Sequence, residues 1–301
     1  MPDLSSIALE KQKHPTLSAE SPFNIDFMYV KNPSEKYSGD IHYALQLGIC
    51  LTGGVEVLYD NFSRVFTPGE CWWTMCWEPH ACRGTEKRSF AVAVNLEMNS
   101  LGSVDPFGGC HWLLPFTLPP EERYIPTSES EKSKFLEAGK KLFHWNHRRG
   151  AYWQQKSWLL INDLLLTAMS RLNRIQPSIA EQAVAASDRF ARLRPAIELA
   201  RSNGTEPVTL AKAAKACSLS SSRFSELFRE ALGSSYGQFA ARARISQAAR
   251  DIATSNMAVE EIAAKWGFFD SSHFCHAFKK IYQCSPSEFR RRRNENESTV
   301  L

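Results

Sequence analysis

The chain of 301 residues contains eight cysteines but no C-x-x-C pair. A zinc knuckle is therefore not expected, and buried free thiols in a reducing compartment fit better than a disulfide framework. A long apolar run is also missing. "WLLINDLLLTAM" comes closest, and Asn162 and Asp163 interrupt it, well short of the roughly 20 apolar residues that a spanning helix needs. The first twenty residues are polar and lack the apolar core of a signal peptide. The expectation is a cytoplasmic protein with no membrane partner.

Charge of one sign is scarce only locally. Residues 1–187 hold 18 Lys/Arg and 20 Asp/Glu, whereas residues 188–293 hold 18 Lys/Arg and only 10 Asp/Glu. The excess positive charge in the last third is the footprint of a polyanion partner, or of a solvated helical surface.

Residues 23–98 read as short strands. In "IHYALQLGICL", Tyr43, Leu45, Leu47, Ile49 and Leu51 share one face, and in "FAVAVNL" Phe90, Val92, Val94 and Leu96 do the same. Turn residues at 52–54, 60–61 and 68–70 separate the runs, which predicts a small antiparallel sandwich or barrel. Helices follow the Gly/Pro-rich stretch 99–127. One carries Phe135, Leu136, Leu142 and Phe143. The next carries Trp158, Leu159, Ile161, Leu165 and Leu172, a set wider than one stripe that needs the barrel, a partner subunit or both to cover it. Residues 176–187 offer little to bury and read as a linker. Everything after Asp188 reads as helix, with segments at 189–202, 210–216, 221–232, 236–254, 260–266, 271–282 and 286–293.

That helical region repeats itself at an offset of fifty. "AAKACSLSSSRFSELFRE" (213–230) and "AAKWGFFDSSHFCHAFKK" (263–280) align Ala213, Ala214 and Lys215 with Ala263, Ala264 and Lys265, the serine pairs, and Phe224 and Phe228 with Phe274 and Phe278. Each copy reads as helix, tight turn, helix. Gly267 falls where a helix C-terminus needs a positive φ; Cys217 stands there in the first copy, so that turn must differ or be strained. The phenylalanines bury one face of each second helix. The opposite face offers Ser221, Ser222, Ser225, Glu226 and Arg229 in the first copy, and Ser272, His276, Lys279 and Lys280 in the second, with Ser271 beside Ser272 at the helix start. Small serines near a helix N-terminus let backbone amides approach phosphate. Glu226 could accept from cytosine and His276 donate to guanine, while Arg229, Lys279 and Lys280 suit phosphates. The long helix between the copies would hold the two second helices at a fixed separation; about 34 Å would place them in successive major-groove segments. Double-stranded DNA is the expected partner.

The stretches "SLSSSRFSELFREALG", "RARISQAARDIATS" and "VEEIAAKWGFFDSSHFCHAFKKIYQCSPSEFRR" strongly resemble the AraC/XylS family of bacterial transcription regulators, over about residues 190–293. The resemblance implies a seven-helix DNA-binding domain of two helix-turn-helix units. It also implies base-reading residues at Ser222, Ser225 and Glu226, then at Ser272, His273 and His276. The first helix offers serines and an acid where many relatives place larger donors, which leaves backbone contact as that unit's main expected role.

The stretch "GGVEVLYDNFSRVFTPGECWWTMCWEPHACRG" looks like the cupin-type sensor domain of such regulators. A metal-binding cupin would carry an H-x-H pair. Here Asp40 and His42 are the loose counterparts before His80, so no metal and no cofactor are expected. Gln46, Trp73, Trp77, His80, Arg83 and Asn95 are the candidate ligand-binding residues, suited to a sugar or a small aromatic. Trp73 and Trp77 should share a face opposite Trp72.

The expected fold class is α+β multidomain: an N-terminal antiparallel β cupin-like barrel with helices, and a C-terminal all-α double helix-turn-helix domain. The expected division is a ligand-sensing and dimerisation domain at 20–175, a linker at 176–187 and the DNA-binding domain at 188–293. The expected function is transcription regulation, by activation, in response to a small molecule, with RNA polymerase and a second copy of the chain as further partners and no enzymatic activity. The competing readings are a metal-dependent cupin dioxygenase or isomerase with a DNA-binding tail, and a ligand-independent DNA-binding dimer.

Overall fold

The computed structural model describes residues 17, 20–33, 36–40, 42, 44–76, 78–101, 112–175, 177–201, 208–232, 234–282 and 284–291. The chain divides into two compact units, Met1–Asp188 and Arg189–Leu301.

The first unit is built on eight strands: β1 Phe23–Val30, β2 Ser38–Asp40, β3 Leu45–Thr52, β4 Val55–Leu58, β5 Ser63–Phe66, β6 Cys71–Thr74, β7 His80–Gly84 and β8 Ser89–Leu96. They form two antiparallel sheets in the orders β1-β8-β3-β6 and β2-β7-β4-β5. Among the described residues no strand pairing joins the two sheets, so the expected barrel is an open, cupin-like sandwich.

Alternation sorts the side chains of the first sheet. Leu45, Leu47 and Ile49 are fully buried on the side that meets helix α3, Glu129–Arg148. The shared face read from the sequence is therefore present, although Tyr43 lies outside the described residues. The Ser128 hydroxyl accepts from the Glu131 amide at 3.2 Å, and the Glu131 carboxylate accepts from the Ser128 amide at 3.2 Å. This capping box sets where α3 begins. On the opposite face, Cys50, Trp72 and Ala91 meet Val55, Val57, Tyr59 and Phe66 in a core between the sheets. Trp72 lies across Gly48 on the neighbouring strand; a Cβ there would come within 1.9 Å of the indole, so only glycine lets the ring lie flat. Short helices α1 Met98–Leu101 and α2 Leu114–Thr117 follow the sheets, and helix α4, Trp153–Ile175, packs along α3.

Helix α5, Pro177–Arg201, starts inside the stretch read as a linker. Propensity supports it: Pro177 suits a first turn, and Ala180, Ala183, Ala185 and Ala186 are strong helix formers. Its C-terminal half, through Phe190, Leu193 and Ile197, is buried in the second unit.

The second unit continues with α6 Leu210–Ala216, α7 Ser221–Leu232, α8 Tyr236–Thr254, α9 Val259–Lys265 and α10 Ser271–Tyr282. Residues 286–291 are helical, and Ser285 caps them by accepting from the Glu288 amide at 3.2 Å. The first half of α8 packs on α7: Phe228 meets Tyr236 at 5.3 Å and Phe239 at 5.4 Å between ring centroids. The second half of α8 supplies Ile245, Ala248, Ala249 and Ile252 to a separate cluster with Ile262, Trp266, Phe274 and Phe278. Two helix-turn-helix units thus share one rod, about 28 Å long at 1.5 Å per residue.

The two turns differ as the sequence suggested, with one correction to the alignment. Gly267 has φ +70°, and its counterpart is Ser218 at φ +55° rather than Cys217. Gly267 N–H donates to Ala264 and Phe268 N–H to Ala263, while Ser218 N–H donates to Lys215 and Leu219 N–H to Ala214. Both are Schellman closures, and they align the first helices at an offset of 49, not fifty. The second helices keep the offset of fifty, so the later turn has one residue more. A serine in the left-handed region is strained where glycine is not. Ser218→Gly is expected to raise the stability of the second unit by about 1 kcal/mol and Gly267→Ala to lower it by at least as much, as read by urea denaturation.

Candidate functional site

Each helix-turn-helix unit exposes a narrow polar face because its aromatic anchors point the other way. On α7, Phe224, Leu227 and Phe228 are buried, and Ser221, Ser222, Glu226 and Arg229 are exposed. Ser220 caps the helix, its hydroxyl accepting from the Arg223 amide at 3.3 Å. Two of the expected base readers are engaged locally. The half-buried Ser225 donates its hydroxyl to the Ser221 carbonyl at 2.8 Å, and the Glu226 carboxylate accepts from Arg223 at 2.6 Å. Arg223, absent from the sequence-based set, thus stands on the exposed face as the partner of its acid. An i,i+3 spacing was the available signal for it.

On α10, Phe274 and Phe278 are fully buried, while Ser272, His273, His276 and Lys279 are exposed and Ser271 is half-buried. The Lys280 side chain lies outside the described residues. The Asp270 carboxylate accepts from the His273 amide at 2.6 Å, which satisfies one N-terminal donor. This helix therefore presents two imidazoles and an ammonium, whereas α7 presents hydroxyls, the paired Arg223 and Glu226, and the Arg229 guanidinium.

In the first unit, one end of the space between the sheets is polar. Register places Asn95 on β8, Gln46 on β3 and Thr74 on β6 side by side on the inner face. Gln46 Nε2 donates to Asn95 Oδ1 at 3.1 Å and to His42 Nε2 at 3.2 Å, and Asn95 Nδ2 donates to Asp26 Oδ2 at 2.8 Å. The His42 and His80 rings meet edge-to-face with centroids 5.2 Å apart. Each donates Nδ1–H to a backbone carbonyl, His42 to Ala44 at 2.9 Å and His80 to Glu78 at 3.0 Å, so each ring keeps its Nε2 as the acceptor. Glu78 in turn accepts from Arg123 through two bonds of 2.8 Å, a bidentate pair.

The cluster thus unites Gln46, His80 and Asn95 from the expected set and adds His42, Asp26 and Thr74. Trp73 does not join it. It pairs with Leu47 on the opposite face, packs edge-on against Phe116 at 5.2 Å and donates its indole N–H to the Tyr124 carbonyl at 2.7 Å. Trp72 is the tryptophan on the inner side. Arg83 also turns away: β7 pairs it with Glu56 on the outer face of its sheet, where the two side chains bond at 2.6 Å. Trp77 lies outside the described residues. Among the described residues no group of three or more His, Cys, Asp or Glu is placed to hold a metal. Burial pushes the Cys50 and Cys76 thiols up to about 12, which leaves them unreactive.

Residues 213–292 match the family model described as "Helix-turn-helix domain", and they contain both turns and both exposed faces. The C-terminal unit is a helix-turn-helix domain of the AraC/XylS family. The chain is 30% identical over 173 residues to the arabinose operon regulatory protein of Escherichia coli, covering 56% of this chain and 54% of that protein. It is 28% identical over 181 residues to the Salmonella typhimurium protein of the same name, covering 60% and 61%. These matches span little more than half the length of the curated relatives. The solved structure of ToxT from Vibrio cholerae with unsaturated fatty acid bound superposes with a TM-score of 0.56 over 93% of this chain and 96% of that one, at 12% identity. That likeness shows a shared two-part fold.

Among the described residues the buried polar and charged side chains lie in the first unit, whose sandwich depends on a neutral histidine. Burial lowers the His42 pKa from 6.5 to about 4, its bond to the Ala44 carbonyl opposing only in part. In the unfolded chain the same imidazole takes a proton as pH falls below about 6.5. The neutral ring therefore stabilises the fold fully above that pH, and the contribution is lost as pH drops toward 4. Between about pH 7 and pH 5 this amounts to about 2 kcal/mol. His42→Gln should show a correspondingly flatter pH dependence in urea denaturation, whatever its stability at neutral pH.

Proposed function

We propose that the chain is a sequence-specific DNA-binding transcription regulator, an activator, whose hold on DNA responds to a small molecule in the N-terminal sandwich. The observation that carries this reading is the exposed Ser272–His273–His276–Lys279 face of α10, anchored from behind by Phe274 and Phe278 within an AraC-type unit. Such a helix places donors at its N-terminal turns, where a major groove meets base edges, and a cation one turn later, where a phosphate lies. The α7 face, with its hydroxyls and the Arg223–Glu226 pair, suits backbone contact more than base reading. The proposed division is residues 20–175 for sensing and dimerisation, 176–187 as a helical connection and 188–293 for DNA.

The polar end of the sandwich is the proposed effector site. The arginine near it, Arg123, is held by Glu78, and Asn95 and Gln46 offer neutral amides. A hydroxylated, uncharged ligand such as a sugar matches this lining better than a carboxylate does. Leu159 and Leu166 on α4 are 72% and 42% exposed, one apolar stripe at i and i+7 that a second copy would cover. Ligand binding would favour one of two arrangements of the dimer on DNA in proportion to its differential affinity for them. The partners are then double-stranded DNA, the effector, a second copy of the chain and RNA polymerase.

Duplexes selected from a random pool provide the test. His276→Ala should lose base preference at one position. Lys279→Ala should weaken binding to every sequence and reduce the slope of log K against log salt by about 0.9. Equal effects of both changes on all duplexes would contradict this division of roles. A sugar that raises the melting temperature of the wild type should fail to do so with Asn95→Leu.

A further inference from the structure

The later turn contains a residue that the earlier turn lacks, and that residue is Phe269. After the left-handed position, the first helix-turn-helix runs Leu219, Ser220 and into α7; the second runs Phe268, Phe269, Asp270 and into α10. Leu219 stands directly before its cap. In the second helix-turn-helix the position before the cap is Phe269, where an apolar residue ordinarily packs onto the fourth helical residue, here Phe274. Phe268 does that instead. It is buried, meets Phe274 with ring centroids 5.0 Å apart, and lies under the Arg244 guanidinium at 5.3 Å. The next side chain, Phe269, is 100% exposed.

The exposure does not come from a loose loop. Gly267 at φ +70° and the two closing hydrogen bonds of 3.0 Å hold the turn on one side. The Asp270 cap on the His273 amide holds it on the other. The ring is thus presented from a fixed backbone, next to the helix end that carries Ser272 and His273. It contributes nothing to the core, and water surrounds it on all sides, an unfavourable placement for a phenyl group that a partner surface would relieve.

We infer that Phe269 is a further specificity-determining residue: its ring packs against the C5-methyl group of a thymine beside the bases read by α10. The inference rests on the reading of α10 as the base-contacting helix. A phenyl ring has no donor for a phosphate or for a base edge, and the thymine methyl is the apolar feature that the major groove displays. The recognition helix enters the groove by its N-terminal end, and Phe269 precedes that end by two residues. The earlier unit, one residue shorter at this place, carries no equivalent ring. The two units therefore differ in sequence preference through the turn as well as through their helices.

The test uses the full chain and duplexes selected from a random pool, with wild type, Phe269→Ser and Phe269→Leu compared. Wild type is expected to enrich a thymine adjacent to the position whose preference His276→Ala removes. Phe269→Ser should lose that thymine and bind the selected duplex about tenfold more weakly, and Phe269→Leu should keep most of the preference. Replacing that thymine by uracil, which removes only the methyl, should weaken wild type by a similar factor and leave Phe269→Ser unaffected. Thermal melting of Phe269→Ser should match wild type. The inference is overturned if Phe269→Ser selects the same sequence with the same affinity, if uracil is neutral for wild type, or if the variant melts well below wild type, since the ring would then belong to the protein's own packing. If wild type enriches no sequence at all, the DNA-binding reading itself fails, a result distinct from the loss of one thymine.

Discussion

Two phenylalanines four residues apart, twice over, carry the architecture of the C-terminal unit. Phe224 with Phe228 and Phe274 with Phe278 are all fully buried, each contributing about 2–3 kcal/mol by burial. A helix has one side to give to a core at that spacing. Once the rings are committed, the opposite side must face solvent, and its serines, histidines and lysine become available to a partner. The anchors also make the presentation rigid, because α8 takes the first pair against Tyr236 and Phe239 and the second pair into the cluster with Ile245 and Ile252. The Trp266 indole and the Lys265 ammonium both reach Asp251 on α8 at 2.8 Å. These contacts tie α9, the first helix of the second helix-turn-helix, to the same rod.

The sandwich solves a different problem. Its apolar end is a packed core around Trp72 and Gly48, and its polar end is a connected chain from Asp26 through Asn95 and Gln46 to His42. Buried polar groups are tolerable only when each finds a partner, and this chain satisfies several at once. Such a network holds one arrangement firmly and can be rearranged by a ligand that replaces its internal bonds. That is a physical basis for the proposed effector site.

Much of this was legible beforehand. The repeated aromatic spacing, the exposed polar residues between the anchors and the glycine at 267 follow from local rules that act within a few residues. Strand alternation likewise separated Leu45, Leu47 and Ile49 from Gln46 and Gly48. Residue type groups Trp73 and Arg83 with Gln46, whereas pairing register puts them on other faces. The contact between His42 and His80, across a gap of 38 positions, has no local signal in the sequence. Aligning the repeats at a single offset hid the extra residue in the second turn, because identical alanines matched better one place away from their structural counterparts.

By itself the sequence determined what is periodic and local: which helix faces are apolar, where helices are capped, where a chain can turn, and that positive charge gathers at one end. Tertiary structure decided the rest. It chose which polar side chains converge between the sheets, set Ser218 rather than Cys217 in the left-handed turn, and left Phe269 in solvent while burying Phe268. The reason is physical. Helical and strand periodicities are properties of a few consecutive residues, whereas register, burial and hydrogen-bond partnership depend on which distant segments the folded chain brings together.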